Sequence, residues 1–209
     1  MQPLIHSQYH YKLGLKFAGG KSVGKTSIFY RLSDMQTPKP WKFEYPALIG
    51  INTHLFKTKV DDKPVLVYIQ DYNAFSDEIY LFSPHYIKFS NGIMLIYDVT
   101  NRDSFIILPD LFNKIFQSAP EEVCVLLVGN KIDEEENRQV SYEEGRLLAE
   151  NLNINFIEVS AKNRDGLDFA YKMMLKDMYN TVKMNEEDLT DIVKICKKRK
   201  EKTTSCCFH

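Results

Sequence analysis

From about Tyr11 to about Met184 the chain alternates between short apolar runs and longer stretches in which apolar residues recur every three or four positions. The runs Ile93–Tyr97, Val123–Val128 and Asn155–Val159 are short, apolar and rich in β-branched residues, the pattern of strands buried on both faces of a parallel sheet. Lys12–Phe17 predicts a first strand that ends in a glycine cluster. Asn52–Val60 and Val65–Gln70, separated by the turn signal Asp61-Asp62-Lys63-Pro64, predict an antiparallel hairpin. Helical stretches lie between these runs. Lys25–Asp34 is one, and Ser104–Ser118 is another, with apolar residues at 105, 108, 111, 112, 115 and 116 and Pro109 near its start. Ser141-Tyr142-Glu143-Glu144 has the spacing of a capping box and opens a helix through about Asn151. Asp165 to about Met184 predicts the last helix, with Leu167, Ala170, Met174 and Met178 on one stripe that reads as core. Six strands and about five interleaved helices predict an α/β fold whose sheet is mostly parallel with one antiparallel strand.

Composition narrows the function classes. Hydrophobic residues make up 44% and aromatics 12% of 209 positions, enough for a core and against global disorder. The length suits one domain with appendages: an extension over 1–10, a domain over 11–184 and a flexible basic tail over 185–209. With 27 basic and 28 acidic residues the net charge is −1, which argues against a nucleic-acid partner held by bulk attraction. No apolar run approaches the ~20 residues of a membrane span, and MQPLIHSQYH lacks the pattern of a secretory signal. The four cysteines form neither a disulfide framework nor a zinc motif, and the five histidines have no metal-ligand spacing, so a reducing, cytosolic setting is expected.

The nine glycines are unevenly placed: Gly19, Gly20 and Gly24 fall within six positions. Gly19-Gly20-Lys21-Ser22-Val23-Gly24-Lys25-Thr26 fits G-x-x-x-x-G-K-[ST] between a predicted strand and a predicted helix, the context of a phosphate-binding loop that runs on into Ser27. Such a loop turns backbone N–H groups toward phosphate oxygens, and the helix dipole adds to the attraction. Lys25 is then placed for the β- and γ-phosphates and Thr26 for Mg²⁺. Asn130-Lys131-Ile132-Asp133 follows a predicted strand, where α/β sheets bind ligands. An Asp carboxylate accepts from two N–H donors on one edge of guanine, a pair that adenine lacks. Ser160-Ala161-Lys162 holds the same place after the last strand and can present backbone N–H groups to the guanine oxygen.

Together these motifs resemble the Ras superfamily of small GTPases, and most closely its Rab branch. Leu95-Ile96-Tyr97-Asp98-Val99-Thr100 with Ser104-Phe105, Gly129–Asp133, Arg138-Gln139-Val140-Ser141 with Glu143-Glu144-Gly145, Phe156–Lys162 and Ile49-Gly50-Ile51 carry the likeness, over about residues 11–180. The resemblance implies a P-loop small G domain that binds GTP or GDP with Mg²⁺. Thr26 and, through water, Asp71 would hold the metal.

Two segments depart from the family pattern. Leu48 stands where the family has a Thr that completes the Mg²⁺ shell, and leucine offers no oxygen. The Trp-Asp-Thr-Ala-Gly-Gln-Glu motif reads Gln70-Asp71-Tyr72-Asn73-Ala74-Phe75-Ser76, so only Asp71 survives. Ala74 replaces a glycine that approaches the γ-phosphate, and Phe75 occupies the site of the glutamine that positions the attacking water. Lys21, at a usually small loop position, either bars an arginine supplied by a partner or places a charge near the phosphates in cis. No catalytic residue is therefore assigned, and weak intrinsic hydrolysis is expected. Phe75, Tyr80, Phe82 and Tyr86 read as packing on the sheet, with an effector surface as the alternative.

The tail carries Lys194, Lys197, Lys198, Arg199, Lys200 and Lys202 against one acid, Glu201, and ends Cys206-Cys207-Phe208-His209. That ending resembles the C-C-x-x signal at which Rab proteins receive geranylgeranyl groups. The resemblance implies anchorage on the cytoplasmic face of an endomembrane with a cytosolic pool. It implies escort and GDP-dissociation-inhibitor proteins, effectors, an exchange factor and an activating protein as partners. The alternative is a hydrolysis-deficient relative acting as a membrane-anchored scaffold.

Overall fold

The structure is a computed structural model that describes residues 9–34, 50–73 and 87–204. Leu48, Ala74, Phe75, Tyr80, Phe82, Tyr86, Cys206 and Cys207 lie outside the described residues, as does most of the expected N-terminal extension. The chain runs β1 (Tyr11–Gly19), α1 (Lys25–Ser33), β2 (Gly50–Val60), β3 (Lys63–Asn73), β4 (Gly92–Asp98), α2 (Arg102–Ile106), α3 (Leu108–Ser118), β5 (Cys124–Asn130), α4 (Tyr142–Leu152), β6 (Asn155–Val159) and α5 (Leu167–Thr204).

The six strands form one sheet in the order β2-β3-β1-β4-β5-β6, parallel except for β2. The hairpin pairs Thr58 with Val65 and Asn52 with Asp71, so the acid near the end of β3 is fixed by an eleven-residue ladder. After β1 the chain builds one side of the sheet, first β2 at the edge and then β3 beside β1. From β4 it moves to the other, through β5 and β6. The crevice beyond the carboxyl ends of β1 and β4 is thus the topological switch point, where sheets of this kind take ligands.

Strand alternation divides the core. Leu13, Leu15 and Phe17 of β1, with Met94 and Ile96 of β4, face α1 and α5; Ile93, Leu95 and Tyr97 face α3 and α4. The stripe expected on the last helix is core: Leu167, Ala170, Met174 and Met178 are all buried against the first of these layers. The expected capping box is present. Ser141 Oγ accepts from the Glu144 N–H and the Glu144 carboxylate accepts from the Ser141 N–H.

Two helices differ from expectation. The stretch predicted as one helix over 104–118 is two, broken at Ile107. Pro109 lies in the first turn of α3, where its missing N–H costs nothing, and it could not have continued the preceding turn. Asn101 starts α2 by accepting from the N–H groups of Asp103 and Ser104. The last helix runs past Met184 to Thr204, where a flexible tail was expected. No Gly or Pro interrupts 167–204, and its Lys, Glu, Leu and Met content favours helix. Among the described residues no helix is long and apolar enough to cross a membrane.

Candidate functional site

β1 delivers the chain to the switch point at Gly19, whose φ of 146° and nearness to the Ile96 carbonyl leave no room for a Cβ. Gly24, at φ 99°, is equally constrained, since a Cβ there would collide with the Asn130 amide. Between them Ser22 also takes a positive φ of 60°, while Val23 is fully buried and pins the loop to the core. Gly24 then caps α1 with no side-chain acceptor, and no acid lies in the first turn. The helix therefore presents uncapped N–H groups at its positive end, an arrangement suited to an anion. Lys25 Nζ donates to the Gly19 carbonyl at 2.9 Å and to the Gly20 carbonyl at 2.5 Å, so its ammonium spans the mouth of the loop.

One side of this loop meets β3. Thr26 Oγ1 donates to Asp71 Oδ2 at 2.8 Å, and Asp71 is fully buried. Its other oxygen, Oδ1, has no hydrogen-bond partner among the described residues. Burial raises the Asp71 carboxyl above the ordinary carboxylate range, opposed by the Thr26 hydrogen bond and the Lys25 charge. A buried carboxylate with one unpartnered oxygen beside a hydroxyl is a set of hard oxygen donors, and it fits a hydrated Mg²⁺ ion.

The other side is held by Asn130, at the end of β5 and 2% exposed. Its Nδ2 donates to the Val23 carbonyl at 2.9 Å, and its Oδ1 accepts the Ala161 N–H at 3.1 Å. One side chain thereby joins the phosphate-type loop, the end of β5 and the loop after β6. Lys131 adopts φ 72°, and its ammonium pairs with Asp98 Oδ2 at 2.6 Å, while Asp98 Oδ1 accepts from the N–H and hydroxyl of Thr100. Asp133 Oδ1 accepts from Ser160 Oγ at 2.5 Å, and Lys162 Nζ lies 3.5 Å from Oδ2. Ser22, Gly24 and Ser27, then Asn130, Lys131 and Asp133, then Ala161 and Lys162, line one cavity of about 240 Å³. Three loops singled out from sequence thus meet in one place; Lys25, Thr26 and Asp71 lie on the β3 side of the same loop.

Sequence reasoning missed Asp98 and Arg31. Asp98 had a signal, since it ends a buried strand beside the Asn-Lys-Ile-Asp motif. Arg31 had little: it lies between apolar residues of α1, yet it donates to the carbonyls of Ala161 and Lys162. A roomier groove of about 680 Å³ lies at the opposite end of the sheet, around Cys124 and Asp177. Burial raises the Cys124 thiol, which disfavours a thiolate there, and its sulfur lies 3.4 Å from the Thr181 hydroxyl.

A family model described as "Ras family" matches residues 15–180. The chain is 32% identical over 176 residues to Ras-related protein RIC1 of rice, covering 84% of this chain and 85% of the relative. It is 33% identical over 171 residues to GTP-binding protein ypt2 of Schizosaccharomyces pombe, covering 81% and 82%. It is 30% identical over 201 residues to human Ras-related protein Rab-8B, covering 94% and 95%. A phosphate-type loop at the switch point, a base-type cavity built from two further loops and matches along most of the chain agree, and the chain belongs to the Ras family.

Proposed function

We propose that this chain is a Rab-like small GTP-binding protein that acts in vesicle traffic, cycling between GTP and GDP. The observation that carries the reading is the double hydrogen bond of Asn130, which ties the phosphate loop to the loop after β6 beside the Asp133 carboxylate. In this reading the backbone of Gly19–Ser27, Lys21 included, wraps the phosphates, and Lys25 turns from loop carbonyls to the β- and γ-phosphate oxygens. Thr26 directly, and Asp71 through water, hold Mg²⁺, which when bound neutralises charge on the β- and γ-phosphates. Asp133 accepts from the paired N–H donors of guanine. Asn130 and Lys131 frame the base, and the Ser160-Ala161-Lys162 loop offers N–H groups to its oxygen.

Membership of the Ras family supports GTP hydrolysis. Intrinsic turnover is proposed to be slow, at or below the order of 10⁻⁴ s⁻¹ found without an activator, because Phe75 cannot orient water and Leu48 cannot ligate the metal. The scaffold alternative draws no support from the described residues. Positive-φ backbone in the loop and a lone buried oxygen on Asp71 are both costs that a scaffold without nucleotide has no use for.

The domain over 11–184 is proposed to carry the nucleotide, and 185–209 to end in geranylgeranyl groups on Cys206 and Cys207. Two chains anchor stably where one does not, and a basic stretch adds roughly 1 kcal/mol per cation near an anionic leaflet. Escort and GDP-dissociation-inhibitor proteins, effectors, an exchange factor and an activating protein are the partners this cycle requires, at the cytoplasmic face of an endomembrane. Hydrogen exchange of the full chain with GDP and with a non-hydrolysable GTP analogue tests the cycle. Different protection over 36–52 and 70–86 is expected; identical protection in both states would contradict a switch.

A further inference from the structure

The loop that follows β6 is gripped from the phosphate side of the site. Arg31, in the second turn of α1, is 6% exposed. Its Nε donates to the Ala161 carbonyl at 2.9 Å and its Nη2 to the Lys162 carbonyl at 2.6 Å. The grip is returned: Arg164, at φ 73°, donates from Nη1 to the Arg31 carbonyl at 3.1 Å, and pairs with Asp168 at 2.8 Å. A guanidinium is a rigid planar fork, so two donors on consecutive carbonyls fix the tilt of both peptide planes, as a point-charge ammonium would not.

Peptide geometry carries the consequence. In a trans peptide the C=O of one residue and the N–H of the next point in opposite directions. Arg31 draws the Ala161 carbonyl toward α1 and so turns the Lys162 N–H away from it. Lys162 lines the cavity, and its N–H has no protein acceptor among the described residues. The neighbouring Ala161 N–H is already given to Asn130. Lys162 is therefore the residue of this loop whose N–H is available to a ligand.

We propose that Arg31 is a positioning residue for base recognition: it sets the 160–162 loop so that the Lys162 N–H donates to the oxygen on C6 of a guanine nucleotide. This inference rests on the proposal that the cavity takes a guanine nucleotide.

The test compares GDP with 6-thioguanosine diphosphate, in which sulfur, a weaker acceptor, replaces that oxygen. Dissociation constants are measured on the full chain for wild type, Arg31→Met, Arg31→Lys and Leu32→Val. The last trims a fully buried neighbour on α1 that has no side-chain hydrogen bond to give. Wild type is expected to prefer GDP about tenfold, the worth of one good hydrogen bond. Arg31→Met should weaken GDP about 10–100-fold and bring the ratio near one. Arg31→Lys, with one direction of charge and no fork, should fall between, and Leu32→Val should lower the melting temperature without moving the ratio. A wild-type ratio retained in Arg31→Met, or an equal change in Leu32→Val, would overturn the proposal. So would a wild-type ratio of one. Should Arg31→Met fail to fold, an unchanged ratio in Arg31→Lys would overturn it. Failure of wild type to bind GDP at all would instead overturn the nucleotide reading on which it rests.

Discussion

On the base side of the cleft, Asn130 gives both ends of its amide to the protein, Asp133 accepts from Ser160, and Arg31 holds two carbonyls of the loop. On the metal side, Thr26 and Asp71 share one hydrogen bond, and Asp71 keeps a buried oxygen with no partner among the described residues. The base side is a network held together by the protein itself, with the Lys162 N–H left over for a ligand, and such networks rigidify what they join. The metal side carries an unmet electrostatic demand that a divalent cation and its waters would meet. On the proposed reading, specificity is built into the fold, whereas completion of the other half is left to the ligand.

Substitutions should separate the two halves. The largest effect is expected from Asp133→Ala, which removes the two charge-assisted hydrogen bonds proposed to the base. GDP affinity should fall about 10²–10⁴-fold, and the preference for GTP over ATP should vanish, read by displacement of a fluorescent GDP analogue. Asn130→Ala should cost about 2–3 kcal/mol of stability even without nucleotide, because it frees the buried Val23 carbonyl and Ala161 N–H. Chemical denaturation with and without GDP would measure both parts. An Asn130→Ala protein as stable as wild type without nucleotide would mean that the base side is not prebuilt.

On the metal side, Asp71→Asn should weaken Mg²⁺ by about 10–100-fold, as loss of a partner that acts through water does, yet leave GDP selectivity over ADP in place. The smallest effect concerns stability against pH in EDTA. Burial holds the folded carboxyl of Asp71 above its unfolded value of 3.8, so the folded state binds the proton more tightly between those two values. Wild-type stability should therefore gain as pH falls through the folded pKa, and Asp71→Asn should lack that gain. Relative to wild type, the variant should look most stable at neutral pH. Added Mg²⁺ should remove the difference, because the charged form then has its partner.

Much of the site was legible because its chemistry lies in contiguous motifs. Gly19–Thr26 follows the apolar-polar run of Lys12–Phe17 and Asn130–Asp133 follows the valine-rich run of 123–128, and the structure brings both motifs to one cavity. Arg31 was not legible, because its meaning depends on carbonyls about 130 positions away, a contact that no local spacing encodes. The Met174–Met178 stripe was readable as core from its period alone, whereas the break at Ile107 required weighing Pro109 as the first turn of a new helix rather than a flaw in an old one. The last helix ran on because a charged stretch without Gly or Pro keeps its helical propensity, and charge alone does not separate tail from helix.

The central claim, that the cleft reads guanine, is tested most directly by competition. The full chain is loaded with a fluorescent GDP analogue in Mg²⁺, then challenged with unlabelled GTP, GDP and ATP. GTP and GDP should displace the label at stoichiometric levels, and ATP should fail at a roughly thousand-fold excess, as expected of a site built around hydrogen bonds to the base. Equal displacement by ATP, or no loading at all, would contradict the account.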